Sequence, residues 1–221
     1  MGDLVTGTVL QGTPDFTIIK IRDGVEAELP HYDLKRFPNE RNERPNNEHY
    51  RHNQRLKVLI IDVRDNGGGN LTTAQRLAGR FTNEKVLVGY MTHKTGPGHN
   101  DFSDPAPVYL ESSTGIRWQK KAVVLTNRRS FSATNDFVNC MRQLPLVTIV
   151  GDKTGGGSGL PFSSEIPNGW SIRFSASPMY DTDMNQLEFG IDPDIKVDMT
   201  SEDMQRGKDT MIEKACEILK N

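Results

Sequence analysis

The sequence predicts an α/β protein with a parallel sheet at its centre, preceded by a small all-β segment. Three observations carry this reading. An apolar run, Lys57-Val58-Leu59-Ile60-Ile61-Asp62-Val63, ends in Gly67-Gly68-Gly69 and leads into a helix-compatible stretch. Further apolar runs alternate with helical spacing as far as Gly151, the pattern of strand–helix–strand units. Before residue 57, short β-branched runs are separated by turn residues, which suggests a small antiparallel barrel. The expected division is residues 1–57 for the β segment and 58–221 for the α/β core.

The first two strands expected are Leu4–Leu10 and Phe16–Ile21, joined by turn chemistry around Pro14-Asp15, with Val25–Pro30 beyond Asp23-Gly24. Residues 38–53 are polar and read as a loop. The run from Lys57 to Val63 lacks polar alternation, so it suits a strand covered on both faces. Its three glycines let backbone N–H groups approach a ligand. Leu71, Ala74, Leu77, Ala78 and Phe81 share a helical face, with Thr72 and Thr73 as expected caps. A strand is expected over Lys85–Met91 and an irregular loop over Thr92–Pro107. A third apolar run, Lys121–Asn127, leads into Ser130-Phe131-Ser132 and a helix through Met141. Val147–Gly151 is a fourth strand, ending in a second glycine cluster. Trp170–Ser175 alternates as a half-buried strand, and residues 209–219 form an amphipathic helix.

A net charge of -2 gives no global pull toward nucleic acid or an anionic membrane. Cys140 and Cys216 stand far apart, with neither metal-ligand spacing nor a disulfide framework, so buried thiols are expected. No apolar leader or run of membrane-spanning length is visible. The expectation is a cytoplasmic chain, or one of the cell envelope if a leader has been removed.

Residues 1–64 resemble the OB-type RNA-binding barrel of the bacterial transcription factor NusA. The matching stretches are Gly2-Asp3-Leu4-Val5-Thr6-Gly7-Thr8-Val9, Gly24-Val25-Glu26-Ala27-Glu28-Leu29-Pro30, Tyr50-Arg51-His52 and Asp62-Val63-Arg64. The resemblance implies single-stranded RNA as a partner. Phe16, Tyr32, Phe37 and Tyr50, with Lys20, Arg22, Lys35, Arg36 and Arg41, would supply stacking and charge. Acids balance those bases, and core aromatics with solvated charges are the plainer reading.

Two strand ends carry glycine clusters and a third carries serines at the start of a helix. A serine there can act as a nucleophile, with the next residue's N–H and a donor from a neighbouring glycine turn holding the oxyanion. The alternative is that Ser130 and Ser132 merely cap the helix. Neither glycine cluster has the spacing of a phosphate loop or a dinucleotide fingerprint. The five histidines show no ligand spacing with cysteine or carboxylate, and neither metal nor cofactor is expected.

Four ordered blocks resemble the C-terminal processing (tail-specific) and tricorn-core serine peptidases. They are Ile60–Gly69, Val124–Thr134 with its Ser130-Phe131-Ser132-Ala133-Thr134 segment, Val150–Gly156, and Phe189-Gly190-Ile191-Asp192-Pro193-Asp194-Ile195. The resemblance implies a crotonase-like ββα-spiral core and a peptide or unfolded-protein substrate. It implies Ser132 as nucleophile and the N–H groups of Gly69 and Ala133 as oxyanion donors. A homo-oligomer is compatible with it.

The tail-specific branch places a lysine base 25 residues after the nucleophile, where this chain has Gly157. The tricorn-like branch uses an upstream histidine and a later glutamate. Leu187 stands at the glutamate's aligned position and Glu188 one residue on. No histidine is assigned by the resemblance; His99 or His93 within the core, or a residue on another chain, are the candidates. Serine-peptidase activity is thus the first expectation. The alternatives are a peptide-binding relative without turnover, and an RNA-binding protein acting through residues 1–57.

Overall fold

The computed structural model describes residues 7–9, 16–21, 58–114 and 117–220. In chain order, β1 (Gly7–Val9) and β2 (Phe16–Ile21) precede β3 (Val58–Asp62) and α1 (Leu71–Ala78). Next come β4 (Val86–Met91), β5 (Ala106–Leu110), β6 (Ala122–Thr126), α2 (Ala133–Arg142) and β7 (Val147–Gly151). A hairpin, β8 (Pro161–Glu165) and β9 (Ser171–Ser175), is followed by β10 (Met179–Tyr180) and β11 (Ile195–Lys196). Helices α3 (Ser201–Gln205) and α4 (Thr210–Lys220) come last.

The main sheet runs β1-β2-β3-β6-β7-β11, parallel throughout except for the β1–β2 pair. Its central strands are apolar on both faces because both faces are covered. Leu59, Ile61, Ala122 and Val124 pack toward Phe137, Val138 and Met141 of α2. Their neighbours Ile60, Val123 and Leu125 pack toward Met211, Ala215 and Leu219 of α4. This is the period-two alternation of a strand between two helical layers. Asp62 falls on the α4 side and is fully buried, held by Arg64 at 2.8 Å. Arg64 in turn pairs with Asp209 at 2.7 Å, so the buried charge is matched and α4 is tied to β3.

A second, antiparallel sheet, β10-β4-β5, lies beside α2, and the β8–β9 hairpin stands apart from both sheets. Several expectations change here. Residues 7–9 and 16–21 do form strands, but β2 runs parallel to β3, from Phe16↔Val58 to Lys20↔Asp62. The described strands of the N-terminal segment extend the core sheet, and the rest of the OB-like barrel expected over residues 1–57 lies outside the described residues. Val25–Pro30 and the proposed RNA-facing residues Arg22, Tyr32, Lys35, Arg36, Phe37, Arg41 and Tyr50 lie outside the described residues. The loop expected as far as Pro107 gives way to β5 at Ala106, whose strand pairs along β4. Residues 171–175 form a strand, but every one of them is exposed, since the only described partner of β9 is β8. Asn70, not Thr72 or Thr73, caps α1, accepting from the Thr73 N–H at 3.2 Å. Cys140 is buried as expected, whereas Cys216 is half-buried.

Candidate active site

The C-terminal ends of β3, β6 and β7 lie side by side, the usual location of a site in a parallel sheet. Their three turns are laced together. Ser130 is fully buried: its Oγ donates to Val63 O at 2.8 Å and accepts from the Asn127 N–H. The Phe131 N–H donates to Asn66 O at 2.9 Å, the Ser132 N–H to Gly156 O at 2.7 Å, and the Gly155 N–H to Ser130 O at 2.9 Å. Thr134 Oγ1 donates to Asn66 Oδ1 at 2.6 Å.

These bonds hold Ser132 at φ 57°, ψ −127°. A non-glycine residue in so sparsely populated a region costs ~1–3 kcal/mol, and only over-determining surroundings keep it there. The consequence is geometric. Ser132 occupies the N-cap position of α2, yet its side chain makes no capping bond, and its Oγ has no hydrogen-bond partner among the described residues. The two serines of the run thus have opposite fates: Ser130 fixes the turn, and Ser132 is displayed by it.

Gly68 backs directly onto this turn. At φ 99°, a Cβ there would lie 2.6 Å from Phe131 O and 2.8 Å from Ala133 N. Gly69, at φ 143°, faces open space. Neither the Gly69 N–H nor the Ala133 N–H donates to a described residue. Ala133 opens α2, so its amide lies at the positive end of a ten-residue helix. The structure therefore brings Ser132, Gly69 and Ala133 onto adjoining turns, with the hydroxyl and both amides lacking partners among the described residues.

The other candidates are placed differently. Glu188 is exposed on a short 3-10 turn, with Ser175 Oγ donating to its Oε2 at 3.5 Å. Burial pushes its carboxyl above the ordinary value, and the Ser175 hydroxyl opposes the shift. Leu187 beside it is core, 2% exposed. His93 Nδ1 lies 3.0 Å from Ser177 Oγ, and His99 sits in an exposed loop; neither bonds to Ser132. His31, His49 and His52 lie outside the described residues. At Gly157, φ 78°, a Cβ would meet Phe131 Cζ at 2.1 Å, so the Phe131 ring fills the space of a lysine there. Lys153 faces Asp192 at 3.4 Å instead.

Sequence reasoning passed over α2's interior. Asn135 is fully buried, accepting from Thr154 Oγ1 at 2.5 Å and donating to Ser158 Oγ and Leu187 O. Asp136 is 8% exposed and accepts from Ser158 Oγ at 2.6 Å. Burial raises its carboxyl to about 6, the Ser158 bond works against that, and the charge of Glu188 adds to it. The available signal was the spacing Ser132, Asp136, Asn139, Cys140, which puts all four on one helical face. Among the described residues no group of histidine, cysteine and carboxylate side chains is placed to hold a metal, and no helix is long and apolar enough to cross a membrane.

At the strand ends of a mixed α/β fold, a serine hydroxyl and two amides stand without hydrogen-bond partners among the described residues. The chain belongs to peptidase family S41, whose model matches residues 33–197. It is similar to the tail-specific protease of Haemophilus influenzae, 30% identical over 104 residues, which cover 47% of this chain and 14% of that protein. It is also similar to the tricorn protease of Thermoplasma acidophilum, 25% identical over 164 residues, covering 73% and 14%. Among solved structures, a candidate peptidase from Parabacteroides merdae superposes with a TM-score of 0.84 at 45% identity, covering 99% of this chain and 65% of that one. The chain thus spans only a small part of these two curated relatives.

Proposed function

We propose that this chain carries the core of a serine peptidase that hydrolyses peptide bonds, of the C-terminal processing or tricorn-like kind. Ser132 Oγ attacks the peptide carbonyl, and the carbonyl oxygen, as it gains charge, is received by the N–H groups of Gly69 and Ala133. Each such donor is worth ~3–4 kcal/mol to the transition state. The proton of Ser132 passes to a histidine. His99 is the candidate within the described loops, and His31, His49 and His52 are the upstream ones. Glu188, beside the site and with a raised carboxyl, orients that group. The observation that supports the reading is the strained Ser132 backbone, with its hydroxyl and the Gly69 and Ala133 amides all lacking hydrogen-bond partners among the described residues.

A fluorophosphonate probe tests it. Labelling of the intact protein that disappears in Ser132→Ala, together with digestion of a denatured protein lost in the same variant, is expected. Equal labelling of both proteins overturns it. Saturable binding of extended peptides with no labelling would favour a peptide-binding relative without turnover. Replacing the five histidines one at a time identifies the base, as the variant that loses labelling while keeping its fold.

A further inference from the structure

Asn66 stands between the two turns that carry the Gly69 and Ala133 amides, and it is buried, as is Thr134 opposite it. Its Oδ1 accepts from the Gly68 N–H at 2.9 Å, an Asx turn that closes on its own segment. The same oxygen accepts from Thr134 Oγ1 at 2.6 Å, and the Asn66 carbonyl accepts from the Phe131 N–H at 2.9 Å. All three donors adjoin the site: Gly68 precedes Gly69, and Phe131 and Thr134 flank Ser132-Ala133. The Asx bond alone would close the glycine turn. The bonds to Phe131 and Thr134 add nothing to that turn and instead join it to the other one. The seam is tight, since a Cβ at Gly68 would lie 2.8 Å from Ala133 N. Asn66 also selects between neighbouring amides. The Gly68 N–H is turned to its side chain, whereas the Gly69 N–H has no partner among the described residues, and nothing lies within 4 Å of where a Gly69 Cβ would stand.

We propose that Asn66, acting with Thr134, is a positioning residue that sets the separation of the Gly69 and Ala133 amides and thereby governs the rate of acyl transfer. The inference rests on the peptidase reading above. Two amides share one developing oxyanion only when both lie about 2.7–3.1 Å from it. A loosened seam weakens that fit more in the transition state than in the bound peptide, whose carbonyl oxygen carries less charge. The cost therefore falls on kcat and spares KM.

Thr134→Val tests this, because it keeps the side chain's shape and removes only the hydroxyl donor. Both kcat for peptide hydrolysis and the rate of fluorophosphonate labelling at saturating probe should fall about tenfold, with KM held within about twofold. Thr134→Ser restores the hydroxyl and should recover kcat to within about threefold of the parent. Asn66→Ala, which removes both side-chain bonds, should lower kcat about 10²-fold, as losing an oxyanion donor does. Thermal melting shows that each variant is folded at the assay temperature, and if Asn66→Ala is not, the valine and serine variants decide the matter. A Thr134→Val protein with parental kcat overturns the proposal, as does a loss confined to KM or a serine variant as slow as the valine one. A parent protein that fluorophosphonate does not label sinks the peptidase reading and this inference with it. A labelled parent whose rate is indifferent to Thr134 sinks the role of Asn66 alone.

Discussion

The turns at the strand ends and the β8–β9 hairpin are both loop-rich, glycine-bearing parts of one chain, yet they are built in opposite ways. Around Ser132 the backbone is strained, and buried side chains from three strand ends hold it: Asn66, Ser130, Thr134 and, through Asn135, Thr154 and Ser158. In the hairpin every strand residue is exposed, and its internal support is main-chain pairing with one edge-to-face contact between Phe162 and Phe174. The first region can hold two amides and a hydroxyl in fixed register, as oxyanion stabilisation requires. The second has nothing buried to hold it so tightly, and local opening there should be the easier motion.

The largest effect expected from breaking this contrast is at Ser132. Ser132→Gly should lower peptide hydrolysis by about 10⁴-fold or more. The same change should raise thermal stability by about 1 kcal/mol, because glycine tolerates φ 57°. Opposite signs for activity and stability are the signature of strain kept for function. Unfolding measurements on this variant, beside Ser132→Ala, separate the two terms; a destabilised Ser132→Gly would mean the strain is not there.

Next in size comes a matched pair of glycines. Gly68→Ala forces a Cβ to within 2.6 Å of Phe131 O at φ 99° and should cost about 3 kcal/mol, along with most of the activity. Gly169, at the hairpin tip with φ 84°, has nothing within 4 Å of the position a methyl group would take. Gly169→Ala should cost only the backbone term, about 1 kcal/mol. Denaturant melts of both variants would show whether the difference is steric, as argued, or conformational, in which case the two losses would be equal.

Asp136 supplies a pH-dependent version of the same test. Its folded-state carboxyl is raised from 3.8 to about 6, so the folded protein holds a proton that the unfolded chain has released between those values. Stability from this group is therefore fullest below about pH 4 and falls as pH rises through 6. Asp136→Asn should be more stable than the parent by up to ~3 kcal/mol near pH 8, with the gap closing toward pH 4. Glu188 acts on this carboxyl by its charge, and Cys140, Tyr90 and Tyr180 line the small cavity that Asp136 borders. Of these, Glu188 is the one whose own raised carboxyl would blur the transition, and a Glu188→Gln background sharpens it. Burial keeps the Cys140 thiol neutral throughout, pushed up to about 12.

Much of the core was legible because its signals were strong. β3, β6, β7, α2 and the terminal helix fall within a residue or two of the spans expected from apolar runs and helical spacing. The glycine turn and serine run stood out because they interrupt those runs. What was missed had no periodic signal. β5 contains Pro107, which argues against a strand, and β8 begins with Pro161 and continues through polar, exposed residues. The parallel pairing of β2 with β3 joins segments far apart in sequence, and no local pattern encodes it. Asp136 and Asn139 were hidden because polar residues inside a helix ordinarily mark its solvent face, and here they are buried against β4.

The smallest effect belongs to the hairpin's most conspicuous residue. Trp170 is 70% exposed, so truncation removes little buried area. The hydrogen bonds at its position, the Ile166 N–H to Trp170 O at 2.9 Å and the Trp170 N–H to Asn168 Oδ1 at 3.1 Å, involve its backbone and survive the change. Trp170→Ser should therefore move stability by no more than about 0.5 kcal/mol, the usual range for a surface substitution. A loss several times larger in the same melts would mean that the indole is covered in solution. The hairpin would then be packed as firmly as the Ser132 turn, and the contrast between the two regions would fail.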